Sequence, residues 1–125
     1  MIPFFIIILT HWIADFIFQD EKWALGKSKN WSDLLSHTGT YSVLWTIPIL
    51  WFTHSIGITL LFVLITFLAH TATDYVTSRI VSKKFAKGEY GSPIPNLGGF
   101  SVIGFDQVLH YTQLYLTWYF LIGPI

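Results

Sequence analysis

Residues 56–81 of this chain read IGITLLFVLITFLAHTATDYVTSRIV. The segment is long and apolar enough to cross the hydrocarbon core of a bilayer, which takes about 20 residues of helix. It also contains His70 and Asp74, which lie one turn apart and therefore on one face of that helix. Ionisable side chains at membrane depth are costly, and they generally face one another or a functional site. The segment therefore predicts a transmembrane helix that carries part of a buried polar site.

The composition of the whole chain is typical of a membrane protein. Of its 125 residues, 53% are hydrophobic and only 11% are charged, whereas about 25% are charged in an average soluble domain. Mean hydropathy is +0.56. The formal net charge is zero, which gives no basis for nucleic-acid binding, and the absence of cysteine excludes disulfides and thiolate metal ligands. We therefore expect a multi-pass protein of the inner (cytoplasmic) membrane with no nucleic-acid partner.

Four apolar segments predict an all-α bundle of four transmembrane helices that forms a single domain over residues 1–125. The short connection 53–55 makes the second and third helices antiparallel neighbours. Pro48 is expected to kink the second helix, because proline removes one hydrogen bond of the helix ladder. The predicted spans cover residues 2–19, 34–52, 56–81 and 101–122, and the longer connections cover residues 20–33 and 82–100.

The basic residues predict the orientation of the bundle. All seven lie in or beside the two longer connections, which are on the same side of a four-helix protein. Lysine and arginine are enriched in the cytoplasmic loops of membrane proteins. Both connections are therefore expected in the cytoplasm and both termini outside, an N-out/C-out topology. The residues are Lys22, Lys27, Lys29, Arg79, Lys83, Lys84 and Lys87.

Seven ionisable residues within the spans map to the cytoplasmic half of the predicted bundle. The first and third predicted helices run toward the cytoplasm and carry these residues near their C-terminal ends. The second and fourth start at the cytoplasmic side and carry them near their N-terminal ends. Three His–Asp pairs have a spacing of four residues, which stacks an imidazole and a carboxylate on one helix face. His54, in the outer hairpin, is expected to be solvated. The seven predicted cluster residues are His11, Asp15, His37, His70, Asp74, Asp106 and His110.

This residue set indicates a metal site. Imidazole and carboxylate ligands without sulfur suit zinc, with manganese and iron as alternatives. Seven side chains exceed the ligands of one zinc ion, so the cluster either holds two ions or uses some carboxylates to orient imidazoles. The alternative without a metal is a set of structural hydrogen bonds between helices. We assign the core imidazole ligands to His37, His70 and His110, with ligand and catalytic duties shared by Asp15, Asp74 and Asp106.

Three further residues and one loop are predicted to serve the cluster. Gln19 and Gln107 are interpreted as its hydrogen-bond partners. Arg79 either reaches the cytoplasmic membrane surface or clamps a phosphate at the mouth of the site. The glycine-rich residues 86–100 form either a flexible linker or a lid with glycine hinges.

The combined motifs resemble a family of small integral membrane proteins from bacteria and phages, DUF3307, a domain of unknown function. The likeness covers nearly the whole chain. A looser likeness is to predicted inner-membrane metal-dependent hydrolases, and it implies hydrolysis only by analogy of the site. The motifs that carry the resemblance are His11-x-x-x-Asp15-Phe16-x-x-Gln19, the isolated His37, His70-x-x-x-Asp74 and Gly104-Phe105-Asp106-Gln107-x-x-His110.

Two functions from different classes follow from the sequence. The first is a metal-dependent hydrolase that acts on a lipid or a phosphoester at the cytoplasmic leaflet, with an aspartate outside the metal's ligand set as general base. The second is a non-enzymatic membrane protein, such as an ion or proton conductor or a phage or host effector, in which the cluster is a structural element or a titratable switch. The expected partners are membrane lipid and either a second copy of the chain or another membrane protein.

Overall fold

The computed structural model describes residues 2–91 and 97–124, and all regular elements in these ranges are helices. The predicted all-α class is therefore confirmed. A π-helical turn, Ile13–Ile17, directly follows the first helix. The six α-helices are α1 (Ile2–Trp12), α2 (Glu21–Gly26), α3 (Trp31–Leu44), α4 (Thr46–Thr53), α5 (Ile56–Ala86) and α6 (Gly99–Leu121).

Helix α5 is the central element, and it packs against α3, α4 and α6. Its 31 residues form one uninterrupted helix. The side chain of Ser55 caps its start by accepting a hydrogen bond of 3.3 Å from the backbone N–H of Ile58. Because α5 contacts three other helices, it holds its polar face at the centre of the molecule.

The second apolar segment forms two helices, α3 and α4, separated at Trp45. Pro48 has no N–H to donate to the carbonyl of Leu44, so the ladder is interrupted one turn before the proline. The N–H of Trp45 instead donates to the carbonyl of Ser42, at 3.2 Å. The kink predicted at Pro48 is confirmed and takes the form of this break. Helix α4 ends at Thr53, and the next residue, His54, is exposed as expected and has a left-handed φ of 49°.

The connection 20–33 contains a helix, α2, that the sequence analysis did not predict. Asp20 begins it by accepting a 2.8 Å hydrogen bond from the N–H of Lys22. Asn30 caps α3 in the same way, through the N–H of Asp33, at 2.8 Å. Gly26 packs so closely on the Asp33 carboxylate that a Cβ there would overlap with it. Helix α2 is therefore held against the start of α3.

The two described ends of the connection between α5 and α6 are hydrogen-bonded to each other. The N–H groups of Gly99 and Phe100 donate to the carbonyls of Glu89 and Tyr90, at 2.8 and 2.9 Å. Within the predicted lid, residues 92–96 lie outside the described residues. The lid stays a prediction.

The described residues are polar inside and apolar outside. Fourteen of the buried residues are polar or charged and nine are hydrophobic, while leucines, isoleucines and phenylalanines are exposed on most helices. On α5 the buried positions include Thr59, Thr66, His70, Asp74 and Thr77. The interior of this fold is therefore organised around polar side chains.

Among the described helices, α5 is the one that is long and apolar enough, by length and composition, to cross a membrane. The apolar helix Pro3–Ile17 is shorter. The break at Trp45 divides the second predicted span, and polar residues such as Asp106, Gln107 and Gln113 lower the hydropathy of α6. The structure thus confirms a helical protein with one candidate span, and it leaves the four-span arrangement as a prediction.

Candidate metal centre

All seven predicted cluster residues lie together in the interior, and none is more than 8% exposed. Four parts of the chain supply them. The first part is α1 together with the π-helical turn that follows it. Turns of this kind are frequent at functional sites. The contributions are His11 and Asp15 from this first part, His37 from α3, His70 and Asp74 from α5, and Asp106 and His110 from α6.

Four ligand atoms of the cluster are grouped around one point. His37 Nε2 lies 3.1 Å from Asp15 Oδ1, 3.1 Å from Asp74 Oδ2 and 3.2 Å from His70 Nε2. His70 Nε2 lies 3.6 and 3.5 Å from the same two oxygens. A tetrahedral zinc ion with bonds of about 2.0–2.1 Å separates its ligand atoms by about 3.3–3.4 Å. Five of the six separations among the four atoms are therefore close to those of a tetrahedral zinc site, and Asp15, His37 and His70 form a potential ligand group. We call the four atoms the four-atom core.

Hydrogen bonds account for only part of this arrangement. Between His37 Nε2 and His70 Nε2 at most one proton can be shared, and both nitrogens face carboxylate oxygens. Within the described residues, Asp15 Oδ1 and Asp74 Oδ1 are buried and have no hydrogen-bond partner. Buried carboxylate oxygens without partners are costly unless a cation compensates them. The donor set therefore fits a bound divalent cation.

The remaining imidazole of the predicted core, His110, lies beside the four-atom core. Its Nε2 is 3.6 Å from Asp74 Oδ1 and its Nδ1 is 3.4 Å from Asp106 Oδ2, and neither nitrogen has a hydrogen-bond partner in the described part of the chain. The ring stacks on that of His70, with 4.0 Å between centroids. His110 forms a potential ligand group with His70 and Asp74, and another with His11 and Asp15. The cluster thus offers a second position for an ion.

His11 is held by hydrogen bonds at both ring nitrogens. Its Nε2 lies 2.7 Å from Gln107 Oε1 and its Nδ1 lies 2.7 Å from the Tyr41 hydroxyl. The amide of Gln107 donates from Nε2 to Asp15, at 3.3 Å, and to Asp106, at 3.1 Å, which fixes its oxygen toward His11. His11 therefore donates from Nε2 and accepts at Nδ1. This pattern fits a residue that orients the cluster better than it fits a ligand.

Two other site residues were missed by the sequence analysis although a signal existed. The ring of Tyr41 stacks on that of His70 with 3.9 Å between centroids. Tyr41 follows His37 by one helical turn, so both lie on the same face of α3. The hydroxyl of Thr77, one turn after Asp74, donates to Asp106 Oδ1 at 2.5 Å. A search for polar side chains one helical turn from His37 and from Asp74 would have identified both residues.

Lys27 also belongs to the site, but no sequence spacing predicts this, because the position of α2 in the fold brings it to the cluster. Its Nζ lies 2.8 Å from Asp74 Oδ2, and the side chain is 18% exposed. Burial alone would lower the pKa of Lys27, but the carboxylates of Asp74 and Asp15 outweigh burial and raise the pKa above its ordinary value. Lys27 is therefore a charged ammonium at the edge of the four-atom core.

Arg79 makes its contacts outside this cluster. Its guanidinium lies 3.6 Å above the ring of Tyr75, and Nη1 donates to the carbonyl of the same residue at 2.7 Å. The ring of Tyr75 stacks in turn on Trp31. These contacts fit the interfacial interpretation of Arg79 and not the phosphate clamp.

A cavity of about 380 Å³ gives access to the cluster. The side chains of Asp15, Asp74 and Asp106 line it, and residues from α2 and from the end of α5 form the opposite walls. Gln19 also lines the cavity, and within the described residues its buried Oε1 has no hydrogen-bond partner. The carboxylates are therefore accessible to a small molecule.

The model of a family described as "Protein of unknown function (DUF3307)" matches residues 3–124. The chain belongs to this family. The match spans every motif on which the resemblance rests, from His11 to His110. No curated protein and no solved structure matches the chain.

Proposed function

We propose that this protein is a metal-dependent hydrolase embedded in the inner membrane, which acts on a lipid or a phosphoester at the cytoplasmic leaflet. The observation that carries the proposal is the four-atom core of Asp15, His37, His70 and Asp74, with five separations of 3.1–3.6 Å, beside the unpartnered Oδ1 atoms of Asp15 and Asp74. Zinc is the first choice of metal because of this spacing, and manganese and iron are the alternatives.

The distribution of polar and apolar residues supports the membrane part of the proposal. Exposed apolar side chains around a polar interior suit a protein whose solvent is lipid. The 31 residues of α5 span about 46 Å, which exceeds a hydrocarbon core of about 30 Å. Its last turns, with Lys83 and Lys84, would then extend beyond the hydrocarbon on the cytoplasmic side. The proposed topology is four spans with both termini outside.

The residues divide into those that hold the ion and those that act on the substrate. The four-atom core would hold the ion, which would supply Lewis acidity and activate water for hydrolysis. Asp106 is outside this core, lines the cavity and is 8% exposed. Thr77 and Gln107 orient its two oxygens. Asp106 is therefore the aspartate best placed to accept a proton from water as general base.

Elemental analysis of detergent-purified protein tests the proposal. We expect near-stoichiometric zinc in the wild type, and its loss in His37→Ala and His70→Ala. The matched control is His54→Ala, which changes an exposed histidine in the hairpin. Wild-type protein that is fully helical by circular dichroism but contains no metal would refute the proposed function.

A second candidate function, proton or ion conduction, is favoured by one specific observation. Buried polar side chains continue beyond the cluster toward the other end of α5. Gln113 Nε2 lies 3.3 Å from Thr66 Oγ1 and 2.9 Å from Thr117 Oγ1. Ion flux in liposomes that survives chelation and is lost in His70→Ala would favour conduction over hydrolysis.

A further inference from the structure

The cavity beside the cluster has two chemically different parts. One part consists of the carboxylates of Asp15, Asp74 and Asp106 with the ammonium of Lys27. The other part is apolar, and it includes Phe16, Leu25, Val81, Phe85 and Ile103. A volume of about 380 Å³ is within the range of small-molecule sites. A ligand that matches both parts has a polar head and an apolar chain.

The charge of the lining selects the kind of polar head. Three aspartates and two lysines, Lys27 and Lys29, line the cavity. Their formal charge is minus one, and a single divalent cation in the four-atom core changes it to plus one. The metal-loaded cavity therefore attracts an anion, whereas a neutral carboxyl ester would leave the lysines without a counter-ion.

Lys27 is the residue that would contact this anion. Its ammonium pairs with Asp74 Oδ2, which is also one atom of the four-atom core. A divalent cation bound there takes over the charge of that carboxylate, so Lys27 needs another anionic partner in the cavity. Within the described residues, the Ser78 hydroxyl in the same lining is buried and has no hydrogen-bond partner. Lys27 and Ser78 together offer charged and neutral donors to a phosphate.

We propose that this cavity binds a phosphate ester with one apolar chain, its phosphate against Lys27 and Ser78 beside the metal and its chain along the apolar walls. The inference rests on the proposed function, because the metal supplies the positive charge. It narrows the substrate class from a lipid or a phosphoester to single-chain phosphate esters.

Calorimetric titration of zinc-loaded protein in maltoside detergent tests the ligand class with three probes. Monododecyl phosphate has both the head and the chain, inorganic phosphate has only the head, and dodecanol has only the chain. We expect monododecyl phosphate to bind at least tenfold more tightly than either of the others. Equal affinity for inorganic phosphate would refute the contribution of the apolar walls, and equal affinity for dodecanol would refute the anionic head.

Two pairs of variants test the residues. Lys27→Gln is expected to weaken the binding of monododecyl phosphate about tenfold or more, because a charged hydrogen bond is lost. Its control, Lys22→Gln, changes a side chain that is 79% exposed and outside the lining. Val81→Asn in the apolar wall is expected to weaken monododecyl phosphate severalfold without affecting inorganic phosphate. Its control on the same helix is Val76→Asn, outside the cavity.

Zinc content measured on the same samples separates the two proposals. Zinc-loaded wild type that does not bind monododecyl phosphate overturns the ligand inference and leaves the proposed function in place. Protein without zinc overturns both. Lys27→Gln is expected to retain its zinc, so a loss of binding in that variant reports on the phosphate head. Zinc-loaded Lys27→Gln that binds monododecyl phosphate as tightly as wild type refutes the role of Lys27.

Discussion

Replacing His37 by alanine is the sharpest test of the metal centre. His37 Nε2 is within 3.1–3.2 Å of the other three atoms of the four-atom core, so its removal opens one corner of the tetrahedron. Structural zinc sites with four ligands bind with roughly 10–16 kcal/mol, or about 2.5–4 kcal/mol for each ligand if shared equally. Because about 1.4 kcal/mol corresponds to a factor of ten, we expect zinc affinity to fall by about two to three powers of ten.

Competition with a chromophoric zinc chelator measures this affinity in detergent. His54→Ala serves as the control, because His54 is exposed and belongs to no potential ligand group among the described residues. Circular dichroism checks that His37→Ala keeps its helix content. The reasoning is refuted if folded His37→Ala binds zinc within about threefold of wild type, or if His54→Ala loses affinity to the same extent.

Three further predictions concern catalysis, stability and packing. Asp106→Asn is expected to retain zinc but to lose hydrolysis of the phosphate ester, because an amide cannot act as the general base; unchanged turnover would exclude that role. Zinc at about one hundred times its dissociation constant is expected to stabilise the fold by about 2.7 kcal/mol, seen as a rise in Tm that a chelator reverses; a Tm indifferent to zinc would contradict native-state binding. Gly26→Ala is expected to cost about 1–3 kcal/mol because its Cβ overlaps with Asp33. The control Gly39→Ala, with open space around the added Cβ, is expected to be neutral or stabilising by thermal melt, and an equal loss in both would refute the packing argument.

The grouping of the cluster was predictable because it depends on regular features of the sequence. One-turn spacing places Asp15 near His11 and Asp74 near His70, and alternating helix directions bring both pairs to one level of the bundle. His37 lies in the cluster although no aspartate of the cluster is on its own helix. Its carboxylate neighbours come from α5 and from the turn after α1.

Other features depend on tertiary contacts and could not be predicted from spacing. Lys27 reaches Asp74 only because α2 packs against α3, through the close contact of Gly26 with Asp33. The π-helical turn Ile13–Ile17 has no sequence signature that distinguishes it from an α-helix. It nevertheless shortens α1, as the break at Trp45 divides the second span. The break at Trp45 therefore explains why the second predicted span is not one uninterrupted helix.

All four residues of the four-atom core lie between Asp15 and Asp74, so they are synthesised before α6. Helix α6 then adds Asp106, the proposed general base, Gln107, which donates hydrogen bonds to Asp15 and Asp106, and His110, a potential ligand. The proposed ion ligands and the proposed general base are thus separated along the chain. Under the proposed function, a chain that lacks α6 has every residue of the four-atom core and lacks the proposed general base, Asp106.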